Sequence, residues 1–144
     1  CRKRNIPVFD TIDSVPDNEF DIVLSRHSLE HVPNPLESLI QMRSKLNDKG
    51  TLLLILPKEN HGKASFEPDL NNHLFSWNFR AINNLLNLAG FKPIRNIQKY
   101  SMGFKLLLPL YGWFGINFYL TMVKIVGKLT CKNGELIIHA VKKN

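Results

Sequence analysis

Cysteine is scarce. The 144 residues hold only Cys1 and Cys131, a pair with neither metal-type spacing nor a disulfide framework. A disulfide scaffold is therefore excluded, and reduced thiols in a cytoplasmic protein are expected. No basic stretch followed by an apolar run and a small-residue cleavage site opens the sequence, so no signal peptide is expected. Internal repeats and low-complexity tracts are missing. There is no Gly-x-Gly anywhere, and so no glycine-rich turn that would let a backbone approach a cofactor closely. Basic residues outnumber acidic ones, 19 to 12, for a net charge of +7. They cluster only at Arg2-Lys3-Arg4 and Lys142-Lys143, and no basic and aromatic residues interleave on one recognisable surface. Nucleic acid is accordingly not an expected partner; a solvated basic surface accounts for the charge.

The composition is that of an ordinary globular domain, 44% hydrophobic and 22% charged. The length suffices for one domain with its own core. Ile6-Pro7-Val8-Phe9 reads as a short strand ending at Asp10, and residues 13–19 read as a loop. Phe20 to Ser25 is the next strand. Asn34, Pro35 and Glu37 then spell a helix start: N-cap, first-turn proline and capping-box acid. Leu36, Leu39, Ile40 and Leu46 follow near helical spacing until Asn47-Asp-Lys-Gly50 turns the chain. Thr51 to Pro57 is continuously apolar, the pattern of a strand buried on both faces of a parallel sheet. After the loop 58–75, Ser76 is a plausible N-cap for a helix from Trp77 to Ala89, with Gly90 just past its end. Strands are predicted over Phe91–Ile97 and Glu135–Val141, the latter after a turn at Asn133-Gly134. Alternating strands and helices give an α/β domain with a mostly parallel sheet.

Residues 106–123 contain no charge and are rich in Leu, Phe, Tyr and Trp, with Lys105 and Lys124 flanking them. Eighteen residues just reach the length of a membrane span, but Pro109, Gly112, Gly115 and Asn117 interrupt the run. Two other readings stand: a buried or substrate-covering helical insertion, and a helix lying in a membrane interface.

One polar run bears on chemistry. His27-Ser-Leu-Glu30-His31 follows the strand at 20–25 directly and has the H-x-x-E-H spacing of one zinc peptidase class. On a helix the two histidines would share a face, but Pro33 and Pro35 leave no room for one. A third ligand would have to come from His61, Glu67 or His73, and nothing in the sequence singles one out. The bland alternative is that His27 and His31 are hydrogen-bonded loop residues without chemistry. The other is that the strand end forms one wall of a ligand crevice, as open α/β sheets do.

The segment Phe20-Asp-Ile-Val-Leu-Ser-Arg-His-Ser-Leu-Glu-His-Val-Pro-Asn-Pro35, then Lys49-Gly-Thr-Leu-Leu-Leu-Ile-Leu-Pro57, His73-Leu-Phe-Ser76 and Leu86-Asn-Leu-Ala-Gly-Phe91, resembles the class I S-adenosylmethionine-dependent methyltransferases, the small-molecule type with a Leu-Glu-His-Val segment after the fourth strand. The order of these pieces carries the resemblance, not any single one. It implies a Rossmann-like fold with an antiparallel last strand, in one domain over 1–144 with a hydrophobic insertion at 98–133. It makes Ile6–Phe9 the third strand, with Asp10 and Thr11 bordering the adenine pocket. Ser25, Arg26 and His27 would face the methionine part of S-adenosylmethionine. His31 and His73 are the candidate bases, because free imidazole titrates near neutrality. Relatives with a more acidic version of the run bind a divalent metal there; His27 replaces the first acid, and no metal is expected.

The family's glycine-rich loop and the acid that takes the ribose hydroxyls are absent from the 144 residues. The expectation is a fold incomplete at the N-terminus, the later portion of a longer methyltransferase and inactive alone, with Cys1–Arg4 ending a helix and a raw sheet edge open to self-association. The implied acceptor is a small molecule, a glycan or a lipid-linked intermediate, with membrane-surface contact through 104–126 and a cytoplasmic or peripheral location. The alternative is a non-catalytic interaction module on the same fold.

Overall fold

The computed structural model describes residues 6–58, 71–100, 107–130 and 134–143. Its strands are β1 (Phe20–Arg26), β2 (Leu46–Lys58), β3 (Phe91–Tyr100) and β4 (Gly134–Lys142), and its helices are α1 (Pro35–Lys45), α2 (Phe79–Leu88) and α3 (Leu108–Thr130). They form one sheet in the order β1-β2-β4-β3. β1 and β2 run parallel, joined by α1 as a crossover. β4 is inserted between β2 and β3 and runs against both. Three strands thus point one way and the last the other.

Local sequence sets α1 sharply. The Asn34 side chain accepts from the Glu37 N–H at 3.2 Å, and its amide donates to the Glu37 carboxylate at 3.0 Å. Pro35 occupies the first turn, where its missing N–H costs nothing. At the far end the chain enters β2 through an irregularity: Phe20 pairs with Leu46, and the next pair is Ile22 with Thr51. Residues 47–50 make the expected turn as this bulge. A Cβ on Gly50 would stand 2.8 Å from Leu46 Cδ2 and 2.9 Å from the Phe20 carbonyl oxygen.

α2 starts later than Ser76 predicts. Trp77 is buried, and Asn78 is the cap, accepting from the Ala81 N–H at 2.9 Å. β3 runs on to Tyr100, past the predicted end at Ile97.

The core lies on one face of the sheet. Leu52, Leu54 and Leu56 of β2 and Leu136, Ile138 and Ala140 of β4 meet Leu39 of α1 and Ile82 and Leu86 of α2. Each such leucine or isoleucine side chain contributes about 1.5–3 kcal/mol by leaving water. The expectation of a β2 buried on both faces is only half right. Leu53 and Ile55 on its other face are half-buried, and Ile22 and Leu24 of β1 beside them are exposed, because α1 and α2 both cover the same side.

One further expectation fails and another is met in part. Ile6–Phe9 is not a strand: among the described residues nothing pairs with the outer edge of β1, and Ile6, Val8 and Phe9 are exposed. The apolar segment is helical as expected, and of the readings given for it burial alone is not met. α3 sets a narrow stripe of Tyr119, Val123 and Gly127 inward, spaced four apart, and leaves Trp113 82% exposed, with Phe114, Leu120 and Leu129 also open. At Gly115 the backbone turns to φ 79° and ψ 175°, breaking the helix in two. Among the described residues no helix is long and apolar enough to cross a membrane. Cys1–Arg4, His61, Glu67, Cys131 and Asn133 lie outside the described residues.

Candidate active site

β1 carries its polar residues to its carboxyl end, beside the carboxyl end of β2. Ser25 is buried there, its hydroxyl 2.6 Å from that of Ser28. The His27 N–H donates to the Ile55 carbonyl at 2.9 Å, which extends the β1–β2 ladder by one residue. The chain then breaks away: His27 has φ 48°, in the left-handed region uncommon for a side chain and found disproportionately at functional sites. Residues 28–31 form a turn closed by the His31 N–H on the Ser28 carbonyl at 3.1 Å.

The turn buries Leu29 and, with it, Glu30. The Glu30 side chain is 0% exposed, and among the described residues neither carboxylate oxygen has a hydrogen-bond partner. Its backbone carbonyl accepts from two amides, Leu74 N–H at 2.8 Å and Phe75 N–H at 3.2 Å. Those bonds clamp the chain ahead of α2 against the turn and bring His73 to the cluster, 42 residues from His31. The two imidazoles meet edge to face with ring centres 4.9 Å apart. His31 Nδ1 lies 3.4 Å from the Asn72 carbonyl, and its Nε2 lies 3.8 Å from Glu30 Oε1. His27 Nδ1 approaches the same oxygen from the other side, at 4.0 Å.

A second carboxylate, Glu135 at the start of β4, fastens the strand end. Its Oε1 accepts from Arg26 at 2.9 Å and lies 3.1 Å from His27 Nε2. Burial pushes the Glu135 carboxyl up. Hydrogen bonds from Arg26 and His27, with their charges, outweigh that and hold it below the usual carboxylate value. Glu135 also borders a cleft of about 570 Å³ between β3 and α3, lined by Tyr100, Leu120, Val123, Lys124 and Lys128 among others.

Of the residues singled out in the sequence, Ser25, Arg26, His27, His31 and His73 stand together. No described side-chain contact joins Asp10 or Thr11 to them. Both are exposed, and the 3-10 turn that follows, Ile12–Ser14, borders Phe20, Val23 and Met42 further down the strand. Sequence reasoning missed Glu135 altogether and gave Glu30 no role outside the discarded peptidase pattern. The only signal for Glu30 was its place between two histidines; for Glu135 there was none, since its partners are more than a hundred residues away.

A sheet of this order, with polar residues gathered at the carboxyl ends of its parallel strands, defines a Rossmann-like α/β fold of the methyltransferase class. A family model described as a methyltransferase domain matches residues 3–96, and the chain belongs to that family. A search of curated proteins found no match. Among solved structures, the chain is similar to phosphoethanolamine N-methyltransferase 2 of Haemonchus contortus, solved with phosphomonomethylethanolamine and S-adenosylhomocysteine (18% identity, TM-score 0.58, 91% of this chain and 35% of that one). It is also similar to the 1,6-didemethyltoxoflavin-N1-methyltransferase of Burkholderia thailandensis, solved with 1,6-didemethyltoxoflavin and S-adenosylhomocysteine (15% identity, TM-score 0.60, 92% and 48%). A third likeness is to the [4+2]-cyclase SpnF (17% identity, TM-score 0.57, 90% and 53%). The chain thus spans about a third to a half of these proteins. At such identities the likeness establishes the fold, and function rests on the site.

Proposed function

We propose that this chain forms the acceptor-facing part of an S-adenosylmethionine-dependent methyltransferase acting on a small-molecule, glycan or lipid-linked acceptor. The observation that carries the proposal is the convergence of His27, Glu30, His31 and His73 at the end of β1, within a chain of this family. The residues present fit one side of the cofactor. Arg26 is largely exposed and has donors beyond the nitrogen that Glu135 engages, suited to a carboxylate. The His27 turn offers backbone to the methionine part. Bound there, the cofactor would supply an electrophilic methyl group on a sulfonium.

The protein's part is mostly placement, since holding nucleophile and methyl group in line removes several kcal/mol from the barrier. His31 or His73 would take the proton of an acceptor that must lose one. In that role Glu30 steadies the charge on His31 across the 3.8 Å gap. Calorimetry with S-adenosylmethionine on the natively expressed protein is the test. One-site binding is expected; its absence would favour a non-catalytic module.

The exposure of α3 favours a further element of this reading, contact with an anionic membrane surface. Trp113, Phe114, Leu120 and Leu129 face outward, and from Lys99 through Gly134 the sequence holds five lysines, Lys99 included, and no acid. A lipid-linked acceptor would enter from that side. Flotation with vesicles containing anionic lipid should carry the protein upward; failure to float would remove the membrane element and leave a soluble acceptor.

A further inference from the structure

Neither β3 nor α3 carries a carboxylate, because from Leu70 through Gly134 the sequence holds no acid. The cleft between them therefore has two walls of one sign. On α3 the inward row of Tyr119, Val123 and Gly127 is followed, one residue on, by a parallel row of Leu120, Lys124 and Lys128. Residues four apart stack along one face of a helix, so this wall changes from apolar to basic within about two turns. On the sheet side Tyr100 offers its ring, with the Lys58 ammonium 4.9 Å from the ring centre, and Lys99 stands beside it. Among the described residues neither Lys99 nor Lys124 has an ion-pair partner. The acid at the border, Glu135, lies across the ladder from Lys99, but its Oε1 is taken by Arg26 and His27. The result is a trough of about 570 Å³ with an apolar floor and unmatched ammonium groups at its rim.

We propose that the cleft between β3 and α3 binds one single-chain amphiphile with an anionic head, its chain along Leu120, Val123 and Tyr100 and its head against Lys99 and Lys124. The volume is that of a small-ligand site. Each methylene drawn out of water there tightens binding by about fourfold. A free phosphate or carboxylate meets only exposed, hydrated ammonium groups and gains little. A cationic head on the same chain meets like charge from both walls. The carboxylate of a fatty acid and the phosphate of a lysolipid satisfy the same chemistry. The site differs from a membrane contact through Trp113, Phe114 and Leu129, which lie outside its lining. That contact lays side chains on a surface; the cleft takes a single chain out of one. Because Glu135 borders both the cleft and the candidate active site, a chain held here is placed to be the apolar part of a methyl acceptor. That consequence rests on the methyl-transfer reading; the binding itself does not.

The experiment titrates the whole chain calorimetrically with dodecyl phosphate and with dodecanoate, each below its micelle threshold. One equivalent of either should bind, and the tighter of the two names the head. Octyl phosphate, with its shorter chain, should bind roughly tenfold or more weakly. Inorganic phosphate and dodecyltrimethylammonium should give no binding heat. Lys124→Glu and Leu120→Asp should each weaken dodecyl phosphate by roughly tenfold or more, while circular dichroism shows both variants folded. Absence of binding by both anionic amphiphiles would overturn the proposal. So would equal affinity for the cationic amphiphile. Affinity unchanged in both variants would overturn it too, by putting the chain on the outer side of α3. Calorimetry with S-adenosylmethionine remains a separate readout, so loss of the amphiphile site and loss of the methyltransferase reading are distinguishable.

Discussion

Glu135 and Arg26, 109 residues apart in the sequence, meet at 2.9 Å across the end of β2. The contact ties the first strand to the last at the edge of the candidate site, and the same carboxylate oxygen reaches His27. Its partners hold the Glu135 carboxyl below the usual value of 4.5. A group depressed in the folded state contributes stability that is complete above its unfolded value and disappears as pH falls through the folded one. The melting-temperature difference between the natural protein and Glu135→Gln should therefore be present above pH 4.5 and shrink on further acidification. A difference that stays constant down to acid unfolding would show that the contact contributes nothing. The pair is partly exposed, so the effect should be of order 1 kcal/mol or less.

His31 and His73 stand on different loops yet share one cluster. In the active enzyme, replacing either by Ala should lower turnover by about 10²- to 10⁴-fold if it serves as a proton acceptor, with S-adenosylmethionine affinity nearly unchanged. Steady-state kinetics on both variants check this. Full turnover in both would remove the histidines from the chemistry.

Asn34→Ala should destabilise the fold by about 1 kcal/mol, the usual worth of an N-cap. The residue both receives the Glu37 N–H and braces the Glu37 side chain. Urea denaturation monitored by circular dichroism gives the number, and no shift in midpoint would mean that Pro35 alone sets the helix start.

Gly50→Ala should cost more, about 1–3 kcal/mol as an overpacked position. The new methyl group meets the Phe20 carbonyl and the Asn47 carbonyl, both backbone, as well as the Leu46 side chain. Thermal unfolding would show the loss. An unshifted midpoint would mean that the bulge relaxes freely.

What could be read from sequence depended on how local the cause was. The start of α1 was legible because Asn34, Pro35 and Glu37 act within four residues. The β2 run was legible as a strand, but which of its faces would be covered was not. That depends on where α1 and α2 dock, and both dock on the face of Leu52, Leu54 and Leu56. Ser76 and Asn78 are chemically equivalent caps, and the burial of Trp77 between them decides in favour of the later one. Ile6–Phe9 has the composition of a strand, yet a strand exists only where a neighbour bonds to it. The histidines were visible as candidates; their meeting was not. It depends on the Glu30 carbonyl catching the Leu74 and Phe75 amides, a relation that no spacing encodes. A buried acid also looks, in sequence, like any exposed one.

The break at Gly115 reaches beyond local geometry. It divides α3 into legs of 108–114 and 116–130, and Tyr111 on one leg meets Tyr119 on the other with ring centres 6.2 Å apart. At about 1.5 Å per residue the longer leg measures roughly 22 Å, short of the ~30 Å of bilayer hydrocarbon. Enough apolar residues for a rod are therefore folded into an elbow. Any surface that α3 meets, it meets with two short arms set at an angle.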